Sequence, residues 1–161
     1  MTGGDRAELT FRLLGLSDQT EALRLLALQQ ASYLAEAQVI GFSDIPPLND
    51  TLASLRESKE TFYGAFRGEE LVGCIAYERE GEVLTICRMM VHPGSFRQGI
   101  AGRLLRLPIE REIGIRELRV SAVTTNTPAV RLYEQFGFAP VRSFEIAPGI
   151  LMADYSKSLG T

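Results

Sequence analysis

The sequence is poor in the residues that bind metals or form disulfide frameworks. It contains two cysteines, one histidine and no tryptophan among 161 residues. Cys74 and Cys87 each lie in an apolar run, and their spacing fits neither a zinc site nor a disulfide pattern. We therefore expect two reduced thiols in the core and no bound metal.

The sequence also lacks long apolar runs and an excess of positive charge. The first six residues do not form the apolar segment of a secretory signal, and no run approaches the roughly 18 apolar residues that cross a bilayer. The net charge of −3 argues against sequence-independent binding to nucleic acid, which depends on lysine and arginine. These absences predict a cytoplasmic protein that binds neither membranes nor nucleic acid. The sequence leaves a homodimer open.

The period of the apolar residues predicts the elements of the first half. Alternation over Leu9–Leu13 indicates a strand, and a period near 3.6 indicates a helix over residues 20–37, capped by Ser17 or Asp18. After Pro46 and Pro47 we expect a short helix over about 52–58, capped by Asn49 or Asp50. Alternation then returns and predicts an antiparallel meander of three strands, over residues 61–67, 71–80 and 83–91.

In the second half, a helix is expected over residues 98–114. Pro108 lies inside it and predicts a kink or an early end, since an internal proline removes a backbone hydrogen bond. A strand, a helix and two closing strands are expected to follow, over residues 118–123, 128–136, 141–146 and 150–157. The pattern as a whole predicts one α/β (α+β) domain over residues 1–161, with a mixed, mostly antiparallel sheet of six to seven strands and about four helices.

The segment from Val91 to Leu105 carries the strongest chemical signal. In it a strand runs through a turn into a helix whose start contains Gly99, Ala101 and Gly102. A helix start carries unpaired N–H groups and a partial positive charge, and small residues let phosphate oxygens approach the backbone. Taken alone, the same glycines are explained equally well by a tight turn that binds no ligand.

A second segment, residues 126–138, reads NTPAVRLYEQFGF. Together with residues 91–93 and 98–105, it resembles the GNAT superfamily of acyl-CoA-dependent N-acyltransferases. Two motifs occur at the family's spacing and in its order, and the order of elements agrees over nearly the whole chain. The family's pyrophosphate pattern, Arg/Gln-x-x-Gly-x-Gly/Ala, aligns with residues 96–101. Phe96 departs from it at the first position, where we expect Arg97 to supply the missing polar contact.

The resemblance implies a function and a set of site residues. It implies an N-acetyltransferase that moves the acetyl group of acetyl-CoA, its co-substrate, to a primary amine of a small molecule or of a protein N-terminus, by direct attack and without a metal. Tyr133 would lie beside the cofactor sulfur and protonate the departing thiolate. The cofactor-binding residues would be Met89, Met90 and Val91 along the pantetheine arm, Arg97, Gln98, Gly99, Ile100, Ala101, Gly102 and Arg103 at the pyrophosphate, and Asn126 and Ala129 near the arm.

Simpler roles exist for several of these residues. Asn126 could only cap the helix that follows it, and Tyr133 could be an ordinary core aromatic. His92 precedes a proline in a turn, and we interpret it as a loop residue outside the catalytic set. A non-catalytic acyl-CoA-binding regulatory module is the alternative function.

The general base is not identified by the sequence. Related enzymes with histone-like substrates carry a carboxylate at the position that aligns with Thr85. The acids near the expected acceptor cleft are Glu36, Asp44, Glu78 and Glu82, and each could equally be a solvated surface group. The acceptor is expected to contact residues 33–56 and 147–149, which contain no recognisable motif.

Overall fold

A computed structural model describes residues 8–160, which form one seven-stranded sheet with helices on both faces. The order of strands in the sheet is β1-β2-β3-β4-β5-β7-β6, and all neighbours are antiparallel except β4 and β5. The elements are β1 (Leu9–Leu13), α1 (Gln19–Ile40), a 3-10 turn (Pro46–Asn49), α2 (Leu52–Glu57), β2 (Thr61–Arg67), β3 (Glu70–Glu80), β4 (Val83–Val91), a second 3-10 turn (Pro93–Ser95), α3 (Ile100–Arg111), β5 (Glu117–Val123), α4 (Thr127–Gln135), β6 (Ala139–Ala147) and β7 (Ile150–Ser158). The predicted α+β class, strand number and helix number are confirmed.

Two apolar cores lie on opposite faces of the sheet. One contains buried residues of α1 and α2, and the other contains buried residues of α3 and α4. Gly73 on β3 allows α3 to approach closely, since a Cβ atom there would lie 2.9 Å from Ile100 and 3.1 Å from Leu104. Within residues 8–160, no helix combines the length and the apolar character needed to span a membrane.

The caps of the first two helices follow from local side chains. Asp18 caps α1, because its carboxylate accepts hydrogen bonds from the N–H groups of Thr20 and Glu21 at 2.9 and 3.3 Å. The prediction that Asn49 or Asp50 caps the next helix is wrong. Thr51 caps α2 by accepting from Ser54 N–H at 3.1 Å, while the Asp50 carboxylate is bound by Arg88 at 2.6 Å.

Pro108 does not end α3 early. The helix continues through it to Arg111, starting at Ile100 rather than at residue 98. The proline costs one backbone hydrogen bond, and its ring is fully buried, so apolar burial offsets part of that loss.

Candidate active site

The central feature is an opening between β4 and β5. The two strands pair only where Val83–Thr85 meets Glu117–Arg119, and beyond that point they separate. We call the opening between residues 86–91 of β4 and residues 120–123 of β5 the β4–β5 cleft. Its β5 side pairs on the outer edge with β7, so the strands on both sides of the cleft are held by the rest of the sheet.

A β-bulge at Cys87 coincides with the start of the cleft. Ala76 of β3 faces Arg88 while the next residue, Tyr77, faces Ile86, so Cys87 has no partner in the ladder. A bulge bends its strand and increases local twist, which moves β4 away from a neighbour whose strand has no matching bulge. Cys74 is buried as predicted, but the prediction of a core position for Cys87 is wrong, because the bulge leaves this residue exposed.

The cleft edge of β4 presents backbone N–H groups that α1 contacts. His92 N–H donates to Val72 O of β3 at 2.8 Å, and because N–H direction alternates along a strand, Met89 and Val91 donate towards the cleft. Val91 N–H donates to the Ser32 hydroxyl at 3.3 Å. Met89 N–H lies near the Tyr33 phenol oxygen and lowers the pKa of this group, against the larger effect of burial. Met90 between them is buried, as expected for a packing residue.

The start of α3 lies just beyond the end of β4 and has no side-chain cap. Gly99 is the N-cap residue in the left-handed region, with φ of 77°, and a Cβ atom built on it would meet nothing within 4 Å. Gln98 contributes a buried Oε1 atom that has no partner among residues 8–160. Uncapped N–H groups in open space are the environment that an anionic group such as a pyrophosphate fits, whereas the Gln98 Oε1 atom is an acceptor and contributes nothing to binding an anion.

The other residues expected at the pyrophosphate differ in their exposure and in the contacts of their side chains. Arg97 is exposed and forms no hydrogen bond or ion pair with the part of the chain that the structure describes. Arg103 instead lies over the Phe11 ring of β1, at 4.7 Å from its centre. Ile100 is buried against the sheet, and Ala101 and Gly102 complete the first turn.

On the other side of the cleft, Asn126 caps α4. Its Oδ1 atom accepts a hydrogen bond from Ala129 N–H at 3.4 Å, which confirms the capping interpretation. The amide group of Asn126 donates to none of residues 8–160, so the capping role leaves it available to a ligand.

Tyr133 points from α4 into the core and is 4% exposed. Its ring packs against Phe138 and Tyr155, with centroids 5.7 and 6.2 Å away. Its hydroxyl makes no hydrogen bond to any described residue. Burial raises the Tyr133 pKa, and the negative charge of Glu36 raises it further. The phenol is therefore a neutral donor at all ordinary pH values.

The four acids named as candidate bases occupy different environments. Asp44, Glu78 and Glu82 are exposed, and Glu82 pairs with Arg116 at 3.4 Å. Glu36 alone is half-buried, on α1 one turn after Tyr33, and burial raises its pKa. His92 is exposed, and its Nδ1 atom accepts from Gly94 N–H at 3.0 Å, which confirms it as a loop residue.

Sequence analysis missed a charged cluster between α1, residues 46–50 and β4. Arg88 donates to Asp50 at 2.6 Å, to Glu60 at 2.8 and 3.1 Å and to Gln29 at 2.8 Å. Gln29 also donates to Pro47 O at 2.8 Å, so the cluster ties residues 46–50 to β4. Its only signal in the sequence is a single arginine inside the apolar run of β4.

The Asp50 carboxylate receives several hydrogen bonds within this cluster. Burial would raise the Asp50 pKa, but hydrogen bonds from Ser54, Arg88 and Gln29 outweigh it and hold the pKa below its usual value. Within residues 8–160, no group of three or more histidine, cysteine, aspartate or glutamate side chains is placed to hold a metal ion.

Comparison with known proteins gives both a family and relatives. The model of the acetyltransferase (GNAT) family matches residues 23–138. The chain is 38% identical over 136 residues to the UPF0157 protein YqkA of Bacillus subtilis (strain 168), covering 84% of this chain and 40% of that protein. It is 34% identical over 95 residues to the uncharacterized N-acetyltransferase YsnE of the same organism, covering 54% of this chain and 61% of that protein. The chain thus spans less than two thirds of either relative.

Among solved structures, the fold is similar to the ribosomal-protein-S18-alanine N-acetyltransferase from Escherichia coli. The TM-score is 0.75 at 15% identity, covering 96% of each chain. At so low an identity the likeness extends to the fold alone.

Proposed function

The chain belongs to the acetyltransferase (GNAT) family, and from that membership we propose that it transfers the acetyl group of acetyl-CoA to a primary amine. The observation that carries the proposal is a path of backbone N–H groups with which no neighbouring strand pairs. It runs along the cleft edge of β4 and ends at the uncapped first turn of α3. An extended pantetheine arm with a pyrophosphate at one end matches both parts of that path.

In this proposal the cofactor lies with its pyrophosphate against Gly99, Ile100 and Ala101. The N–H groups of Met89 and Val91 pair with the pantetheine arm, which requires Ser32 and Tyr33 of α1 to yield those contacts. Asn126 caps α4 with its carbonyl oxygen and donates to the arm with its amide.

The proposed chemistry depends on the thioester lying at the end of the pantetheine arm, beside Tyr133. The amine attacks the thioester carbonyl, a C–N bond forms, and the C–S bond breaks as the thiolate leaves. Tyr133 donates a hydrogen bond to that sulfur, because its hydroxyl has no competing partner among residues 8–160 and its phenol stays neutral. The acceptor side is formed by α1 and by residues 46–50, which the Arg88 cluster holds against β4.

The test combines cofactor binding with turnover. Acetyl-CoA at one hundred times its dissociation constant should add about 2.7 kcal/mol to the free energy of unfolding, seen as a rise in Tm. A screen of small amines and N-terminal peptides that detects released thiol should then identify an acceptor. Absence of any rise in Tm at millimolar acetyl-CoA would contradict the proposal, whereas binding without thiol release for every amine would favour the regulatory module.

The position of the pyrophosphate has its own matched pair of variants. Gly99→Val places a branched side chain in the space in front of the α3 N-terminus, so acetyl-CoA should no longer raise Tm. Gly81→Val is the control, because Gly81 has a similar φ of 62° and equally open surroundings but lies at the opposite end of β4. Both variants carry about 1–3 kcal/mol of backbone strain, so only the response to acetyl-CoA should separate them. A normal response in Gly99→Val would place the pyrophosphate elsewhere.

A further inference from the structure

One face of α1 presents three polar side chains to the cleft. Ser32 accepts from Val91 N–H at 3.3 Å, and the Tyr33 phenol lies near Met89 N–H. These two contacts fix the rotation of α1 against β4. Glu36 lies one helical turn after Ser32 on the same face, since residues four apart are neighbours on a helix surface.

The surroundings of Glu36 differ from those of the other partly buried acids. Asp50 and Glu60 share the Arg88 guanidinium, whereas the Glu36 carboxylate forms no hydrogen bond or ion pair with any described residue. It is half-buried, and burial raises its pKa. An unpaired carboxylate withdrawn from water is unfavourable for the fold, so its presence needs another explanation.

The pKa values of two tyrosines show which groups lie near the Glu36 carboxylate. Besides burial, its charge raises the pKa of Tyr33 on its own helix and of Tyr133 on α4. Arg88 on β4 acts on Tyr33 in the opposite sense and is itself paired with Asp50 and Glu60. Glu36 therefore lies within electrostatic range of the hydroxyls of both Tyr33 and Tyr133.

We propose that Glu36 is the general base, accepting a proton from the ammonium form of the acceptor so that the neutral amine can attack the thioester. The inference rests on the proposed acetyltransferase function. The ammonium carries three protons on nitrogen and the product amide carries one. One of the two lost protons passes to Glu36 and then to water, and the other ends on the departing thiol.

The two protonations support each other electrostatically. While Glu36 is charged, it holds the pKa of Tyr133 high and keeps the phenol a weak acid. When Glu36 takes up the proton of the acceptor, that charge disappears and Tyr133 becomes a stronger donor. The thiolate leaves after this step, when the stronger donor is needed.

The test compares Glu36→Gln with the parent across pH, using an amine from the thiol-release screen. With a base, kcat/KM should be level between the carboxyl and amine pKa values, because the reactive pair is the carboxylate and the ammonium. In Glu36→Gln only the neutral amine reacts, so kcat/KM should rise tenfold per pH unit up to the amine pKa. At pH 7 the kcat/KM of this variant should be at least 10²-fold lower than that of the parent. Glu36→Asp should recover part of the loss.

Glu82→Gln is the matched control, because it removes the same charge from the opposite end of β4 and should leave the pH profile level. Two readouts do not depend on activity. The dissociation constant for acetyl-CoA, measured by calorimetry, should be unchanged in Glu36→Gln. The Tm of this variant should exceed that of the parent near pH 7, and the difference should vanish in acid.

The sign of that Tm effect follows from proton binding. The folded state binds the Glu36 proton more tightly than the unfolded state does, so the parent loses stability as pH rises through the raised pKa. A level profile in Glu36→Gln, or a lower Tm at pH 7, would overturn the assignment while leaving the acetyltransferase proposal intact. A parent that binds acetyl-CoA but acetylates no amine would overturn the function itself.

Discussion

Replacing Tyr133 with phenylalanine removes one buried side-chain hydroxyl and keeps the ring. The ring contacts with Phe138 and Tyr155 do not involve the oxygen. A typical intramolecular hydrogen bond stabilises a protein by about 1 kcal/mol, but this hydroxyl donates to none of residues 8–160. We therefore expect the free energy of unfolding of Tyr133→Phe to lie within about 0.5 kcal/mol of the parent.

The expected loss of turnover is much larger. With ordinary pKa values of about 10 for tyrosine and 8.5 for a thiol, complete proton transfer to the thiolate is uphill by roughly 2 kcal/mol. Burial and the charge of Glu36 raise the Tyr133 pKa, which makes complete transfer less favourable still. A hydrogen bond that strengthens as the thiolate forms is the expected contribution. Its loss should lower kcat by about 10²-fold, near the lower end of the range for general acid catalysis.

The assay measures acetyl-CoA affinity and thiol release on the same preparation. Tyr155→Phe is the matched control, because it removes a hydroxyl from a neighbouring buried ring, and its kcat should stay within about twofold of the parent. Unchanged turnover in Tyr133→Phe would refute the acid role and make Tyr133 a core residue. A parallel loss of binding and turnover would make it a cofactor-positioning residue.

Two further predictions concern the Arg88 cluster and the bulge residue Cys87. Arg88→Met leaves the carboxylates of Asp50 and Glu60 without their cation, so the free energy of unfolding, measured in urea, should fall by about 3 kcal/mol. Arg116→Met is the control: it breaks an exposed ion pair, so its free energy of unfolding should fall by less than about 1 kcal/mol. Because folding lowers the Asp50 pKa, the ionised carboxylate stabilises the fold above the ordinary pKa of 3.8, and this stabilisation is lost as the pH falls below that value. The difference in unfolding free energy between the parent and Arg88→Met should therefore become smaller in acid. A difference that does not change with pH would contradict the pairing. Cys87 is exposed as a residue, but its sulfur is partly withdrawn from water and lies 3.9 Å from the Glu78 carboxylate. This desolvation and the charges of Glu60 and Glu78 raise the Cys87 pKa to about 12. Iodoacetamide at pH 8 should therefore modify Cys87 at least 10²-fold more slowly in the folded than in the urea-unfolded protein, and equal rates would contradict the shift.

Local pattern was sufficient for most of the fold. Strands and helices bury one face against the sheet or its neighbours, so their apolar period is visible in the sequence, and all seven strands were predicted near their observed positions. The capping role of Asn126 was likewise visible because a cap bonds to residues only three positions away. The misplaced cap of α2 shows the limit of this reasoning. Asp50 has the right chemistry for a cap, but Arg88, 38 residues later, binds it.

The burial of Glu36 and its lack of an ion-pair partner among residues 8–160 could not be predicted from the sequence, because both depend on contacts between distant elements. From the sequence, Glu36 is one of four acids with equivalent expectations. Its burial requires α1 to lie against the end of β4, and its effect on Tyr133 requires α4 to lie within electrostatic range of it. Neither arrangement leaves a periodic signal, since each involves a single side chain whose partner lies far along the chain.

The bulge at Cys87 links both halves of the site through the alternation of side chains along β4. Before the bulge, Leu84 and Ile86 pack into the core beneath α3; after it, Met89 and Val91 face that core while Met90 packs beneath α1. The extra residue therefore shifts the alternation by one position. If β4 ran through Cys87 as a regular strand without the bulge, Arg88 would point into the apolar core under α3, away from Asp50 and Glu60. The same bulge that allows β4 to leave β5, and so opens the cleft, also turns Arg88 towards residues 46–50.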